Sequence, residues 1–135
     1  MKEQLLTRLE NSRNYTLEVI KKMPEANYDF KPVDTSWNFI ELANHIAYSI
    51  TWWQDNYILQ TETGWNPPAI GLTKAETISR LEEAYESLKK VISSIQLTNE
   101  ILVGFFSTID HITHHRGQAV LYLRCNNIPA AEYRF

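Results

Sequence analysis

The stretch FFSTIDHITHHRGQAVLYLRC, residues 105–125, combines the apolar spacing of an α-helix with three of the chain's four histidines. On a helix, residues three, four and seven positions apart lie on one side. The apolar stripe consists of Phe105, Ile109, Ile112, Ala119 and Leu123. The stretch therefore predicts an amphipathic helix that begins near Asn99 or Phe105, ends near Cys125 and carries polar residues along the border of its buried side.

Three more amphipathic segments precede this one. The first covers residues 3–22, and the second runs from Trp37 to Gln60, after a loop whose N-cap candidates are Asp34, Thr35 and Ser36. The prolines and glycines of residues 61–71 predict a second loop, and a capping box, Thr73 to Glu76, opens the third helix. The apolar sides contain Leu6, Leu9, Leu17 and Ile20, then Phe39, Leu42, Ile46, Ile50, Trp53 and Tyr57, then Ile78, Leu81, Tyr85, Leu88, Ile92 and Ile95. Four such helices without a strand pattern predict an all-α four-helix bundle.

Composition narrows the possible functions. The 135 residues, 44% of them apolar, are enough for one core, so residues 1–135 are expected to form one domain. The net charge of −3 and the lack of a basic cluster predict neither a nucleic-acid partner nor an anionic membrane surface. The amphipathic N-terminus does not have the composition of a targeting segment. A single cysteine, Cys125, cannot form an intramolecular disulfide, so we expect a cytoplasmic protein.

The four histidines divide by helix face. His111 and His115 are four residues apart and flank the apolar stripe of the last helix, in a row that continues to Gln118 and Tyr122, whereas His114 is expected to project outward. On the second helix, His45 lies beside Leu42 and Ile46 in an equivalent position. Three imidazoles from two helices would match the ligand count of a catalytic zinc site. The alternative is that they are hydrogen-bonded residues at the edge of the core.

The pattern excludes two familiar helical metal motifs. HITHH has no glutamate after its first histidine, so the segment is not a metalloprotease HExxH helix. The first and third helices lack the Glu-x-x-His partners that a di-iron bundle needs. After these two exclusions, the remaining possibility for a metal site is one whose protein ligands are imidazoles alone.

Several residues outside this set have both a functional and a structural interpretation. Arg116 either contacts a cofactor anion or forms a buried ion pair or loop cap, with Gly117 allowing close helix approach. Trp52 lies on the same side of its helix as His45 and could wall a pocket, whereas Trp65 could form a lid or a dimer contact. We expect Trp53 and Tyr57 to pack in the core.

HITHHRGQAVLYLR, residues 111–124, followed by NNIPAAEY, resembles the last helix of the DinB/YfiT-like superfamily. The family pattern is His-x-x-His-His-Arg-Gly-Gln before a Tyr-Leu-Arg stretch and a turn with Pro and Tyr. KPVDTSWNFIELANHIAYSITWW, residues 31–53, is similar to the family's second helix and includes its first ligand histidine. The resemblance implies a four-helix bundle of up-down-down-up topology, commonly a homodimer, with a divalent metal on His45, His111 and His115.

The resemblance also implies a choice of chemistry. Characterised relatives include transferases that join bacillithiol to electrophiles and a mycothiol-dependent isomerase. We therefore expect a divalent metal, Zn²⁺ or Ni²⁺ before Fe²⁺ or Mn²⁺, and a metal-bound thiolate or water as the reactive group of a thiol S-transferase or hydrolase. The expected partners are a low-molecular-weight thiol and an electrophile, with Trp52, Arg116 and Tyr122 as candidate cofactor-binding residues. The alternative is a non-catalytic metal-binding or dimerisation module.

Overall fold

The computed structural model describes residues 1–69 and 73–133, and it contains four long helices. Their bounds are Lys2–Lys22 (α1), Phe39–Trp53 (α2), Lys74–Ser94 (α3) and Asn99–Cys125 (α4). The part of the chain described contains no β-strand, so the all-α prediction is confirmed. None of the described helices is long and apolar enough to cross a membrane. Residues 61–69 are non-helical, as predicted, and the last two positions of that predicted loop, 70 and 71, lie outside the described residues.

The helix directions follow from side-chain hydrogen bonds between helix ends. Lys2 Nζ donates to Ile95 O at 2.7 Å, and Lys74 Nζ donates to Lys21 O at 2.7 Å, so α1 and α3 are antiparallel. Near the N-termini of α2 and α3, Asn44 Nδ2 donates to Thr77 Oγ1 at 3.1 Å. Further along both helices, Ser87 Oγ donates to Gln54 Oε1. Because both hydrogen bonds join residues in the same order along the chain, α2 and α3 are parallel.

The last helix completes the topology. Tyr122, near the end of α4, donates to the carbonyl oxygen of Trp37, just before α2, at 2.7 Å. Asn27 and Asn126, which follow the ends of α1 and α4, share a hydrogen bond. Helices α2 and α4 are therefore antiparallel, and α1 and α4 are parallel. The bundle has the predicted up-down-down-up topology.

Each helix packs against two others around one apolar core. Helices α1 and α2 each contact both α3 and α4, which places α1 diagonally across the bundle from α2. The largest fully buried side chains include Tyr85, Phe39 and Phe105, one from each of three helices. The predicted stripes fill this core with two kinds of exception: Tyr57 is exposed, and four side chains at the edge of the core are only half-buried, namely Leu6, Trp53, Ile78 and Ile95.

The second helix ends differently from the prediction. Its α-helical part stops at Trp53, and a π-helical turn, Gln54–Ile58, follows, closed by a hydrogen bond from Leu59 N to Gln54 O at 2.8 Å. A π turn contains more residues than an α turn, so it rotates the residues after it around the helix axis. Ile58 is consequently buried, whereas Tyr57 is 46% exposed. The prediction that Tyr57 packs in the core was wrong.

Side-chain caps define where the helices begin. The predicted capping box is present: Glu76 N donates to Thr73 Oγ1, and Thr73 N donates to Glu76 Oε2 at 2.8 Å. Helix α2 is capped by Asn38, whose Oδ1 accepts from Glu41 N at 2.9 Å, and not by the predicted residues at positions 34–36. Thr98 caps α4. The extra loop residues before Asn38 place Trp37 just outside the helix.

Close packing between α2 and α4 depends on a glycine that the sequence did not single out. A Cβ atom at Gly104 would lie 2.5 Å from the carbonyl oxygen of Tyr57, so only glycine lets the π turn rest on α4. Gly117 was predicted to serve this purpose, and that prediction was wrong. Gly117 is exposed, and a Cβ atom there would meet nothing within 4 Å.

The two glycines of α4 give a matched test of this packing. We expect Gly104→Ala to lower the free energy of unfolding by about 1–3 kcal/mol, because the added methyl group must displace backbone. Gly117→Ala should instead raise it by about 0.5–1 kcal/mol, since alanine is the better residue in an open helical position. Urea unfolding of both variants measures the difference. Equal effects of the two substitutions would contradict the packing role of Gly104.

Candidate metal centre

Three histidine side chains converge where α2 crosses α4. Helix α2 supplies His45, and one turn of α4 supplies His111 and His115. The ring centroid of His115 lies 4.5 Å from that of His45 and 4.5 Å from that of His111, and the His45 and His111 centroids are 5.3 Å apart. One nitrogen from each ring lies within 4.8 Å of the others, so this group could hold a metal ion. His114 is exposed, as the helical spacing predicts.

The tautomer of His115 directs the lone pair of one ring nitrogen toward His45. Its Nδ1 lies 2.8 Å from Oε1 of Gln118, which can only accept a hydrogen bond, so Nδ1 carries the proton. In the neutral ring, Nε2 is then an acceptor, and it lies 3.1 Å from Nε2 of His45. Gln118 follows His115 by three residues, which puts both on one side of α4. A hydrogen bond to the outer nitrogen is the usual way in which proteins orient a metal-binding imidazole.

All three imidazoles are biased toward the neutral form. Burial, followed by the proximity of His115 and His111, lowers the pKa of His45 to about 4. Burial, with smaller effects from His115 and His114, lowers the pKa of His111 to about 4. Burial also lowers the pKa of His115, against the opposing effect of its hydrogen bond to Gln118. Neutral imidazole is the form that binds metals, so at neutral pH the cluster offers unprotonated ligands.

The donor set fits a divalent ion of intermediate softness. Nitrogens that each lie about 2.0–2.1 Å from one ion are at most about 4.2 Å apart, and the 3.1 Å between the His45 and His115 nitrogens satisfies this limit. In addition, Nδ1 of His111 is buried and has no hydrogen-bond partner among residues 1–69 and 73–133. Three imidazoles without a carboxylate suit zinc or nickel better than magnesium or calcium.

Trp37 covers one side of the cluster, a role that the sequence analysis missed. Its ring lies 4.5 Å from the His45 ring and 5.8 Å from the His115 ring, between centroids. Tyr122, a predicted cofactor-binding candidate, is buried and holds Trp37 through the hydrogen bond to its carbonyl oxygen. Helical spacing gives no signal for this role, because Trp37 lies before the N-cap of α2 and its ring approaches His45 from the loop. Tyr122 therefore acts on the cluster through Trp37.

A cavity of about 810 Å³ opens beside His45, between α2, α3 and the segment at 65–68. It reaches the cluster through His45, Trp37 and Trp65, whereas His111 and His115 do not line it. The Trp65 ring lies 5.5 Å from the His45 ring. The remaining lining residues are Glu41, Asn44, Ala47, Tyr48, Thr51, Pro67, Pro68, Arg80, Glu83, Ala84 and Ser87. The lining of the cavity thus combines aromatic side chains with charged ones.

Two predicted candidates lie away from this cavity. Trp52 does not line it, although its ring is 5.6 Å from that of Trp65. Arg116 is buried on the side of α4 that faces α1, where its guanidinium lies 4.7 Å from the Tyr15 ring and 5.4 Å from the Tyr133 ring. Nitrogen Nη1 of Arg116 also donates to Thr16 at 3.4 Å. The guanidinium packs against both aromatic rings, which also contact each other. Neither the predicted ion pair nor the loop cap occurs among the residues that the structure describes.

Comparison with known proteins agrees with the fold. The chain is 26% identical over 136 residues to the uncharacterized protein YjoA of Bacillus subtilis strain 168, an alignment that covers 90% of this chain and 88% of that one. The crystal structure of YjoA, described as a DinB-like protein, superposes with a TM-score of 0.73 at 22% identity over 98% of this chain and 96% of that chain. The sequence model of the DinB superfamily matches residues 8–119. This protein therefore belongs to the DinB superfamily.

Proposed function

We propose that His45, His111 and His115 bind a divalent metal ion, with Zn²⁺ or Ni²⁺ preferred over Fe²⁺ or Mn²⁺. The observation that carries the proposal is the convergence of three imidazoles, two with a pKa near 4, on one point beside an open cavity. Three protein ligands leave coordination positions for a substrate, as in catalytic zinc sites.

We further propose that the protein is a metal-dependent thiol S-transferase. A divalent ion lowers the pKa of a thiol or water that it binds, and so provides a nucleophile at neutral pH. A free thiol with a pKa near 8.5 is only a few per cent thiolate at that pH. The same chemistry with water would make the protein a hydrolase.

The chain's own side chains would bind and orient the reactants. Gln118 holds the His115 ring in one tautomer, and Trp37 packs against two of the three imidazoles. Trp65 forms an aromatic wall where the cavity meets His45. A low-molecular-weight thiol could reach the cluster from this side, and an apolar electrophile would pack against the tryptophans.

A non-catalytic metal-binding module is the second candidate. It is favoured by the position of His111 and His115, which do not line the cavity, so that only His45 connects the cluster with it. Metal that is tightly bound without turnover of thiols or hydrolysable substrates would support this candidate.

Replacing one ligand separates the two functions. We expect His115→Ala to weaken metal binding by about a hundredfold or more and to abolish conjugation of a small thiol to a reporter electrophile, because two imidazoles hold a divalent ion poorly. His114→Ala removes the adjacent, exposed imidazole and should change neither property. Metal content by mass spectrometry and thiol consumption from pH 6 to 8, after loading with each candidate metal, measure both. A rate that follows the free-thiolate fraction in wild type and His115→Ala alike would contradict the proposed chemistry.

The hydrogen bond from His115 to Gln118 gives a second test. We expect Gln118→Ala to weaken metal binding by about tenfold, since the ring loses the acceptor that fixes its tautomer. Gln118→Glu keeps an acceptor at this position and should retain the affinity. Gln4→Ala, at another exposed helical glutamine, is the control. Competition with a chelating dye measures the affinities, and identical values for Gln118→Ala and Gln4→Ala would exclude a positioning role.

A homodimer remains a prediction about assembly. Several large apolar side chains are exposed, among them Trp65 at 48% and Phe106 at 42%. Covering such surface is a common reason for small proteins to pair about a two-fold axis. One chain has a mass of 15.8 kDa, and we expect light scattering to give twice that mass. A monomer across a wide concentration range would disprove the dimer.

A further inference from the structure

The cavity beside His45 contains three charged side chains that do not neutralise one another. Glu41 lies on α2, and Arg80 and Glu83 lie on α3. Within residues 1–69 and 73–133, none of these three side chains forms an ion pair. The lining therefore has a formal charge of −1, with two carboxylates and one guanidinium free to meet a ligand.

The spacing of the two helices keeps Glu41 apart from Arg80. The hydrogen bonds between Asn44 and Thr77, and between Gln54 and Ser87, both join residues 33 positions apart. This register places Arg80 level with Ala47, six residues beyond Glu41, which corresponds to about 9 Å along the helix axis. Arg80 and Glu41 are thus offset along the cavity and form no ion pair in the part of the chain described, so one end of the cavity is negative.

A buried amide oxygen adds a second acceptor at this end. Asn44 lines the cavity one helical turn after Glu41 and is 6% exposed. Its Nδ2 donates to Ile40 O at 2.9 Å and to Thr77 Oγ1 at 3.1 Å, which fixes the orientation of the amide. Its Oδ1 has no hydrogen-bond donor anywhere in the part of the chain described. Because a buried acceptor without a donor is unfavourable, this oxygen favours a ligand that brings one.

Aromatic rings complete the surroundings of these acceptors. Trp37 and Trp65 line the same cavity and are 44% and 48% exposed, so part of each ring is available to a ligand. Tyr48 lies on the same side of α2 as Glu41 and Asn44, and its ring is 4.7 Å from that of Trp65. Carboxylates combined with aromatic faces form the environment that binds organic ammonium groups.

We propose that this cavity is a binding site for a small organic molecule that carries an ammonium group, with the ammonium at Glu41 and Asn44 and the apolar part against Trp65 and Tyr48. The site does not require a metal ion at the histidines. It would hold an amine-bearing substrate beside His45, or bind an amine when the cluster has no catalytic role.

Chelator-treated, full-length protein tests the proposal with two probes of similar shape and opposite charge. Phenethylamine is the cation, and 3-phenylpropionate is the anion; calorimetric titration or tryptophan fluorescence reports binding. We expect phenethylamine to bind at least about fivefold more tightly, since about 1 kcal/mol separates attraction from repulsion in a partly enclosed site. The use of metal-free protein separates this result from any failure of the proposed metal chemistry.

Three single substitutions assign the effect to the cavity. Glu41→Gln should weaken phenethylamine binding about fivefold, whereas Arg80→Gln should strengthen it by about twofold or more, because it removes a repelling cation. Glu86→Gln makes the same change of net charge outside the cavity, on an exposed part of α3, and should have no effect. Thermal unfolding checks that each variant is folded. If the Glu41→Gln variant is not folded, Glu83→Gln takes its place, and we expect it to weaken phenethylamine binding by less than about fivefold.

Two results would overturn the proposal. One is 3-phenylpropionate binding as tightly as phenethylamine to the wild-type protein. The other is an equal response of phenethylamine binding to Glu41→Gln and Glu86→Gln, because the amine would then respond only to the net charge of the protein. Opposite responses to Glu41→Gln and Arg80→Gln support it.

Discussion

The antiparallel packing of α2 on α4 is the contact on which the rest of the site depends. Near the middle of the pair, it brings His45 of one helix against His111 and His115 of the other. At one end the contact is held by the carbonyl oxygen of Tyr57, which rests on Gly104, and at the other by Tyr122, which donates to Trp37. A shift of one residue along either helix would move each imidazole by about 1.5 Å along the axis and by about 100° around it.

The placement of the cluster at the edge of the core explains its electrostatics. The three histidines are partly buried, so protonating any one of them would place a cation away from water and beside two other imidazoles. This cost keeps the rings neutral, while Gln118 fixes the tautomer of His115. A fully buried cluster would have no room for a substrate, and a fully exposed one would be protonated more readily. The boundary between α2 and α4 satisfies both requirements.

The neighbouring cavity differs from the cluster in its chemistry. The cluster contains nitrogen donors without a carboxylate, whereas the cavity has carboxylates, a guanidinium and an unpaired amide oxygen along α2 and α3. The two regions meet at His45, whose ring lies near those of both Trp37 and Trp65. Because α2 contributes to both, one face of this helix would link a reactive end of the site with a recognition end. The parallel arrangement of α2 and α3 creates the second region, since it brings Arg80 and Glu83 alongside the residues that follow Asn44.

The sequence by itself determined the four helices, the capping box of α3 and which histidines share a face, because these depend on helical periodicity and on local hydrogen bonds. The outward position of His114 followed from the same periodicity. Only the tertiary structure decided which glycine allows close packing, that Tyr57 leaves the core in a π turn, and that Arg116 packs against the rings of Tyr15 and Tyr133. It also brought Trp37 over the histidines and placed Arg80 in the cavity. These features depend on the register between helices, which is set by side chains far apart in the chain, and a pattern within one helix does not contain that information.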